Sequence, residues 1–408
     1  MHALRHARPR AWLATWAPFQ IAPATAAGAQ ASASSAVESI VVGRRSRVAA
    51  RLSKHRRWWT ALLVGFPLAS LVNAVIENLR QPKGLFDFRI YRLAGRAVLH
   101  GHSPYVSPQA ILNHVQAGFV YPAPAAWAMS PFSLMSFHIA GICFSLVTTG
   151  AVMATLWALR VRDLRCYGLS LCMMPVSTAV TTGTVSTLVA CAAALVWRYR
   201  DRVVLPALAL ACSLMLKPLL WPVVIWLAAT RRWRAAATTL LITAVGTTAG
   251  YAALHINGLE SYPALVRATT AVEGSTSYSL YGLLSQIGAP FPQQVAYALG
   301  AALLVAVWAV RHDERLSFVM AVAATLALTP IVWVHYFSLL LIPLALGSRR
   351  LSWWWSLPVL MWFANGGSSP ASPVNTFLVW WLALLTFAAL RTEGPALPAL
   401  SVLKESSP

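Results

Sequence analysis

The sequence has few charged residues, and this shortage excludes an ordinary soluble globular protein. Only 11% of its 408 residues are charged and 58% are hydrophobic, whereas soluble domains average about 25% charged residues. Acids are the scarcest, with 11 Asp and Glu against 32 Lys and Arg. The basic residues form short clusters between apolar runs, which is the positive-inside pattern of a multipass membrane protein. The net charge of +21 therefore does not indicate nucleic-acid binding.

Several motifs of soluble enzymes are also missing. The chain has no Walker motif, no GxGxxG fingerprint, no nucleophile elbow and no cytoplasmic domain large enough for a nucleotide, which argues against an energy-driven pump. Its five cysteines lie within or next to apolar segments and form no CxxC pair. They are typical of small core residues and not of a disulfide framework or a zinc site.

The two ends of the chain predict tails. Residues 1–57 are basic and rich in Ala, Ser, Thr and Pro, which predicts a disordered cytoplasmic tail. A signal peptide is the alternative, although Pro and Gln interrupt "WLATWAPFQIAPATAAG". The run "RRSRVAARLSKHRR" should hold the near end of the first span in the cytoplasm. Residues 392–408 are expected to form a cytoplasmic C-terminal tail.

The basic clusters divide residues 58–391 into membrane segments. If every cluster is cytoplasmic, each interval between two clusters holds an even number of spans of about 17–25 residues. This predicts an all-α multipass protein with 12 transmembrane helices, both termini inside, and two large outer loops at 77–120 and 255–292. A full span is predicted at 138–159. Pro218 and Pro222 predict broken, half-length helices in 203–230. The clusters are "RVRDLR" (160–165), "RYRDR" (198–202), "RRWR" (231–234), "RHDER" (311–315), Arg349–Arg350 and Arg391.

The chain is rich in tryptophan, with 18 residues. Trp58–Trp59, Trp353–Trp355 and Trp380–Trp381 fall near predicted span ends, where indoles anchor at the headgroup level. An interface belt is the simpler interpretation, and stacking of one aromatic ring on a sugar is the alternative.

The stretch "LFDFRIYRLAGRAVLHGHSPY" (85–105) carries the strongest candidate for chemistry. Asp87 lies there between Phe86 and Phe88, and a carboxylate so placed is partly desolvated, which suits a general base. The alternative is that Asp87 caps the N-terminus of a short helix. The acids on the predicted outer side are Glu77, Asp87, Glu260 and Glu273.

The same stretch predicts an amphipathic helix at the outer interface. Arg89, Arg92 and Arg96 share one helical face at spacings i, i+3 and i+7. This cationic stripe suits a phosphate, or alternatively the anionic headgroups of membrane lipids.

Two further positions, Lys217 and His335, are conspicuous because a polar group interrupts apolar sequence. Lys217 in "LMLKPLLWP" is a lone ammonium that is costly in a membrane unless it meets an anion. His335 in "TPIVWVHYFSLLLIPL" is either a core residue or a substrate contact. The loop histidines His100, His102 and His114 suggest a metal only weakly. One carboxylate, several cations and a membrane groove together favour a reaction whose donor is a lipid phosphate.

With these residues in place, the sequence resembles the GT-C glycosyltransferases of family 87. The resemblance covers about residues 58–391. It departs from the family at Tyr121-Pro122-Ala123-Pro124, where Tyr-Pro-Pro is usual, and at "TTGTVST", where the turn usually contains Asn. The matching stretches, in chain order, are "FDFRIYRLAGRAVLHGHSPY", "FVYPAPAAWAMSPFSLMSF", "LKPLLWPVVIWLAATRRWRA" and "TPIVWVHYFSLLLIPLA".

The resemblance implies a fold, a reaction and a location. The fold is GT-C-type, in the plasma membrane of a bacterium, as in actinobacterial envelope assembly. The reaction is inverting transfer of a single sugar from a polyprenyl-phosphate donor to a glycolipid or glycan acceptor on the extracytoplasmic side. Mannose is the leading donor sugar and arabinofuranose the alternative. No metal and no cofactor are expected.

The resemblance also implies roles for individual residues. Asp87 would be the general base. Lys217, with an arginine of the Arg89/Arg92/Arg96 stripe, would bind the leaving phosphate. His335 would orient donor or acceptor. The tyrosines expected at the substrate are Tyr91, Tyr105 and Tyr121.

Two other classes remain as alternatives. A transporter or lipid flippase would carry ionisable groups in mid-membrane and a repeat of its two halves. Here the predicted spans are free of charge apart from Lys217, and no half-repeat is evident. An inert scaffold or accessory subunit is the second alternative, and an inert Asp87→Asn variant that still assembles a complex would favour it.

Overall fold

The computed structural model describes residues 58–114, 118–256, 258–364 and 371–391, and within these ranges the chain is helical with no β-strand. The predicted tails lie outside the described residues. The chain divides into the units Met1–Trp59 and Thr60–Pro408. Of the first unit, the described residues Trp58 and Trp59 are the exposed start of helix α1.

The helices follow one another with short connections. The α-helices are α1 Trp58–Arg80, α2 Phe86–Leu99, α3 Pro108–Leu112, α4 Ala123–Ser133, α5 Phe137–Ala158, α6 Leu164–Cys172, α7 Met174–Thr182, α8 Ser186–Arg198, α9 Val204–Leu216, α10 Trp221–Ala229, α11 Trp233–Ala252, α12 Tyr262–Glu273, α13 Leu280–Gln286, α14 Pro292–Ala309, α15 Glu314–Leu328, α16 Leu341–Gly347, α17 Leu357–Leu360 and α18 Pro373–Ala388. Short 3₁₀ helices occupy Gly274–Thr276, Val334–Leu340, Trp353–Ser356, Met361–Ala364 and Ala389–Arg391.

Three helices among the described residues, α1, α5 and α14, are long and apolar enough to cross a membrane. The full span predicted at 138–159 corresponds to α5. The shorter apolar helices, such as α8 and α9, fall below the roughly 17–25 residues of a full crossing. An all-α membrane protein is therefore confirmed, while the number of 12 spans stays a prediction.

The break predicted in 203–230 lies at Lys217. Pro218 disfavours helical geometry at the residue before it, and Lys217 adopts an extended backbone with φ −157° and ψ 113° where α9 ends. α10 restarts at Trp221 with Pro222 in its first turn, where a missing N–H costs nothing.

Ion pairs join three of the basic clusters. The Glu314 carboxylate lies 2.7 Å from Arg200 Nε and 2.5 Å from Arg232 Nη2, and Arg232 also meets Asp201 at 2.9 Å. These residues come from 198–202, 231–234 and 311–315. The clusters therefore share one end of the helices, which is what the positive-inside pattern requires of clusters on one side of a membrane.

Two more clusters meet through Asp163. Its side chain caps α6 by accepting from Arg165 N–H, pairs with the Arg165 guanidinium at 2.8 Å, and accepts from the Leu351 N–H at 3.1 Å. Arg198 Nη1 donates to the Ala158 carbonyl at 3.2 Å, which links the 198–202 cluster to the end of α5.

At the other end, α2 is held by aromatic packing. Phe88 is fully buried and stacks on Phe144 of α5 with ring centroids 4.8 Å apart. Gly95 permits the close approach of α4, since a Cβ there would lie 2.8 Å from the Met129 backbone. Gly183, in the left-handed conformation at φ 72°, lets the end of α7 approach Phe88.

The segments predicted as outer loops pack on each other. α3 of the first and α12 of the second share a small apolar cluster of Ile111, Leu265 and Ala268. Tyr262 Oη donates to the Val120 carbonyl at 3.1 Å. The second segment therefore covers part of the first.

Two of the tryptophans predicted to lie in an interface belt are core residues instead. Trp355 is fully buried, and its Nε1 donates to the Ser348 carbonyl at 3.2 Å. Trp380 is buried and donates to the Tyr278 carbonyl at 2.9 Å. Their N–H groups find partners inside the protein, so burial costs little. The exposed members of those groups are Trp58, Trp59, Trp353 and Trp381.

Candidate active site

A cavity of about 410 Å³ lies between the two segments predicted as outer loops, α7 and residues 331–336. Its volume is within the range of about 300–1,000 Å³ that small-molecule sites occupy. Its lining is mostly apolar or aromatic, with two carboxylates, one imidazole and three threonines as polar groups. The lining residues are Phe86, Asp87, Ile90, Tyr91, Gly118, Val120, Tyr121, Met174, Thr178, Thr182, Thr269, Glu273, Tyr278, Ile331, Trp333, Val334, His335 and Tyr336.

Asp87 reaches this cavity from the first turn of α2. The helix begins at Phe86, after Leu85 in a left-handed conformation, and no side chain caps it. The interpretation of Asp87 as an N-cap is therefore wrong. The positive end of the helix dipole favours an acid in the first turn. Asp87 shares a helix face with Ile90 and Tyr91, both of which line the cavity.

The Asp87 carboxylate is largely removed from water. Its side chain is 22% exposed, and burial raises its pKa from 3.8 to about 6, against the lowering effect of the Lys217 charge. A carboxylate with such a pKa is ionised at neutral pH and still basic enough to accept a proton in a transition state.

His335 faces Asp87 across a short gap. Its Nε2 lies 4.0 Å from Asp87 Oδ2, and the residue is 8% exposed. The 3₁₀ helix Val334–Leu340 is fixed there by Ser338 Oγ, which donates to the Ser186 carbonyl at 3.2 Å. The distance is too long for a formed hydrogen bond, but catalytic contacts are often long before substrate binds and then tighten. The pair can therefore hold the carboxylate in one orientation.

Lys217 lies behind the cavity wall and does not line it. Its Nζ is buried without a hydrogen-bond partner, 3.5 Å from the ring centroid of Tyr336 and 5.4 Å from that of Tyr121. Both rings line the cavity. The ammonium is thus held by cation–π contacts, and its charge acts on the cavity through the two rings.

Of the three tyrosines predicted to contact the substrate, two line the cavity and one lies behind its wall. Tyr91 and Tyr121 line the cavity with their rings edge to face at 5.1 Å. Tyr105 does not line it. The Tyr105 hydroxyl instead donates to the Tyr121 carbonyl and meets the Tyr251 hydroxyl, both at 3.0 Å. Tyr105 therefore supports the wall from behind.

The arginine stripe lies outside the cavity lining. Arg89 Nε donates to the Gly84 carbonyl at 2.8 Å and its guanidinium covers the Phe137 ring. Arg92 Nη2 donates to the Met135 carbonyl at 2.7 Å. Arg96 is exposed on the same helix. The structure thus brings Asp87, His335, Tyr91 and Tyr121 together and leaves the arginines on other faces of α2.

Sequence reasoning missed several cavity residues, among them a carboxylate and a tryptophan. Glu273 is the last residue of α12, and Trp333 precedes the 3₁₀ helix that carries His335. Glu273 was visible only as one of four acids on the predicted outer side. Trp333 was hidden among many tryptophans. No local pattern set either residue apart, because the fold alone brings them to Asp87.

The loop histidines lie apart from the cavity lining. His100 Nδ1 is 2.8 Å from the Arg96 carbonyl, which ends the turn after α2. In the part of the chain that the structure describes, no group of three or more His, Cys, Asp or Glu side chains is arranged to hold a metal ion.

An all-helical membrane protein with a carboxylate and an imidazole facing each other in a mostly apolar and aromatic cavity has the features of a membrane enzyme. The particular family follows from comparison with known proteins. The sequence profile of glycosyltransferase family 87 matches residues 119–333, more than half of the chain, and the chain belongs to this family. It is thus a membrane glycosyltransferase. Searches of curated proteins and of solved structures gave no match.

Proposed function

We propose that this protein transfers a single sugar, with mannose as the leading candidate, from a polyprenyl-phosphate donor to a cell-envelope glycolipid or glycan. Transfer takes place on the extracytoplasmic side and inverts the anomeric centre. Asp87 is the general base.

The observation that carries the proposal is the position of Asp87. A carboxylate 4.0 Å from an imidazole, in a mostly apolar cavity, with a pKa of about 6, is equipped to take a proton from a sugar hydroxyl. Removal of that proton is the step that a hydroxyl nucleophile needs, since an alcohol is a weak nucleophile at neutral pH.

The reaction balances with the groups at hand. The acceptor O–H proton passes to the Asp87 carboxylate as the acceptor oxygen attacks the anomeric carbon of the donor. The bond from that carbon to the phosphate oxygen breaks, and the polyprenyl phosphate leaves with the electron pair. His335 holds the carboxylate so that its free lone pair faces the acceptor.

Lys217 is assigned to the leaving phosphate. Among the described residues, no lysine or arginine lines the cavity, and Lys217 is the cation that contacts its wall. A rotation of the Tyr336 or Tyr121 ring brings the ammonium to the cavity, where a preorganised positive charge stabilises developing negative charge. Arg89, Arg92 and Arg96 are outside the lining, so the phosphate is assigned to Lys217 alone.

The assignment of the cavity to the extracytoplasmic side rests on what lies at the two ends of the helices. α9 starts directly after the 198–202 cluster and ends at Lys217, and its 13 residues span about 20 Å. If the basic network faces the cytoplasm, as the positive-inside rule requires, the cavity is toward the extracytoplasmic side.

The test is transfer of radiolabelled sugar in membranes that contain the wild type, Asp87→Asn or Glu260→Gln. Glu260 is exposed and does not line the cavity, so its variant is the matched carboxylate control. Polyprenyl-phosphate mannose and polyprenyl-phosphate arabinofuranose are supplied in parallel with endogenous acceptors.

Transfer from the mannose donor by the wild type and by Glu260→Gln, but not by a folded Asp87→Asn, is expected. Transfer from the arabinofuranose donor alone would show that the donor sugar is arabinofuranose and not mannose. Full activity of Asp87→Asn would remove Asp87 as the base, and no transfer from either donor would overturn the donor class.

A further inference from the structure

The cavity lining contains a second carboxylate besides the proposed base. Asp87 and Glu273 both line it, and among the described residues no lysine or arginine does. Two like charges facing one small space repel each other and any anionic group that lies beside them, away from Lys217. The lining thus favours an uncharged ligand over an acidic one.

Glu273 is held rigidly at this position. It ends α12, and its carbonyl accepts from Thr276 Oγ1 at 3.2 Å in the 3₁₀ turn that follows. One helical turn earlier, Thr269 lines the same cavity. Leu265 and Ala268 anchor the helix against Ile111 of the first segment. The side chain is therefore presented to the cavity by a packed helix.

The Glu273 carboxylate has no partner within the described residues. In the described ranges no hydrogen bond or ion pair reaches its side-chain oxygens, and the residue is half-buried. Burial and the Asp87 charge both raise its pKa. A carboxylate removed from water without hydrogen bonds is costly, and a ligand that supplies hydroxyl donors removes that cost.

We propose that Glu273 binds the acceptor sugar by accepting hydrogen bonds from its hydroxyls, and that Glu273 and Asp87 together restrict this cavity to uncharged, polyhydroxylated sugars. Acidic sugars, such as uronates, are rejected by the two carboxylates. The acceptor is the substrate concerned because its hydroxyl must meet Asp87, while the donor phosphate requires the side of the cavity nearest Lys217. This inference rests on the proposed function for the identity of the bound sugar as acceptor.

Binding is measured first, because it does not depend on transfer. The purified full chain in lipid nanodiscs is titrated with methyl α-D-mannopyranoside and with methyl α-D-mannopyranosiduronate. The second glycoside, called mannuronate below, differs from the first only in having a carboxylate in place of the CH₂OH group. Fluorescence of Trp333, which lines the cavity, contributes a local signal, and calorimetry supplies an independent affinity.

The wild type should bind the mannoside and reject the mannuronate. Glu273→Gln should weaken mannoside binding by about tenfold or more, the usual effect of losing a hydrogen bond to a charged group, and should reduce the discrimination against mannuronate. Glu273→Asp should keep that discrimination, because the charge remains, while binding the mannoside less well. Glu260→Gln should behave as the wild type.

Three results overturn the inference: no mannoside binding by the wild type, equal binding of both glycosides by the wild type, or unchanged binding by a folded Glu273→Gln. Fold is checked by monodisperse elution and an unchanged melting temperature.

The transfer assay then separates the two proposals. Glu273-dependent binding without sugar transfer from either lipid phosphate would leave Glu273 as a sugar ligand and remove the proposed donor. Transfer with an unchanged acceptor KM in Glu273→Gln would keep the proposed function and remove the role of Glu273.

Discussion

His335 Nε2 lies 4.0 Å from Asp87 Oδ2, with the two residues carried by elements from opposite ends of the chain. The contact joins the start of α2 to a 3₁₀ helix that is anchored on α8 through Ser338. It places an imidazole where it can orient the carboxylate proposed as base.

Asp87 should determine the acid side of the pH profile. Burial raises its pKa to about 6, and the base works only when it is ionised. The rate should therefore fall tenfold per pH unit well below about 6 and be constant above it. Asp87→Asn should lower kcat by about 10²–10⁴-fold, the usual range for a general base. Initial rates measured from about pH 4.5 to about pH 8, at intervals of about half a pH unit, check the acid limb and the loss of kcat. A profile without an acid limb would contradict the role.

His335→Ala should lower kcat by about 10–100-fold, as removal of an orienting partner of a functional group typically does, with little change in the donor KM. His102→Ala is the matched control, because His102 is exposed and does not line the cavity. Steady-state kinetics with the donor varied distinguish the two constants. A large increase in donor KM with unchanged kcat would instead make His335 a donor-binding residue.

Lys217→Met should move the acid limb of the profile to higher pH. The Lys217 charge lowers the pKa of Asp87, so its removal raises that pKa and leaves less ionised base at a given pH. If Lys217 also binds the leaving phosphate, the donor KM and kcat change as well.

The melting temperature of Lys217→Met should fall, because the cation–π contacts with Tyr336 and Tyr121 are lost and the buried Asp87 carboxylate loses the opposite charge beside it. The rate profile and a thermal melt of the same preparation are the two measurements. An acid limb at the same pH as in the wild type would show that the Lys217 charge does not affect the pKa of Asp87.

The arginine stripe should matter for stability more than for the donor. Arg92→Ala removes the 2.7 Å bond to the Met135 carbonyl and should reduce the free energy of unfolding by about 1 kcal/mol. Arg96→Ala is the control on the same helix, since no hydrogen bond from the Arg96 side chain ties α2 to another helix in the part of the chain that the structure describes. Thermal melts and the donor KM are measured for both. A several-fold increase in donor KM in either variant would show that the arginine stripe takes part in binding the donor phosphate.

Asp163→Ala should destabilise the end of the helices that carries the basic clusters. Asp163 caps α6, pairs with Arg165 and accepts from the Leu351 N–H, so the loss should exceed the roughly 1 kcal/mol of a cap alone. Asp313 is exposed and caps α15, and no distant partner contacts it among the described residues, so Asp313→Ala is the comparison in thermal melts. Equal losses would mean that the Leu351 contact contributes nothing.

The Asp163 contribution also has a pH signature. The Arg165 guanidinium lowers the pKa of Asp163 to about 2, so the unfolded chain binds this proton more readily than the folded chain. The stabilisation is therefore present above the unfolded pKa of 3.8 and is lost as the pH falls toward 2. In the Asp163→Ala variant, the difference from wild type should shrink over that range.

Much of the architecture could be predicted because it follows from local chemistry. The shortage of charge and the basic clusters indicated a helical membrane protein. Pro218 placed the break after Lys217, since a residue before proline avoids helical geometry. The span at 137–158 followed from its apolar length.

Asp87 and His335 could be picked out singly for a related reason. A polar group in or beside apolar sequence is costly, and the chain keeps few of them. The spacing of Arg89, Arg92 and Arg96 correctly placed them on one helical face but did not indicate which face meets the cavity.

What only the tertiary structure decided is the set of neighbours. α2 turns Asp87 inward because Phe88 is buried against Phe144, which directs Arg92 to a backbone carbonyl and away from the cavity. Lys217 meets two tyrosine rings, and Glu273 joins Asp87 from a distant helix. The sequence by itself determined the helices, their breaks and the few polar groups, because these depend on neighbours along the chain. Which of those groups share a cavity depends on how the helices pack, and packing joins residues that no local pattern connects.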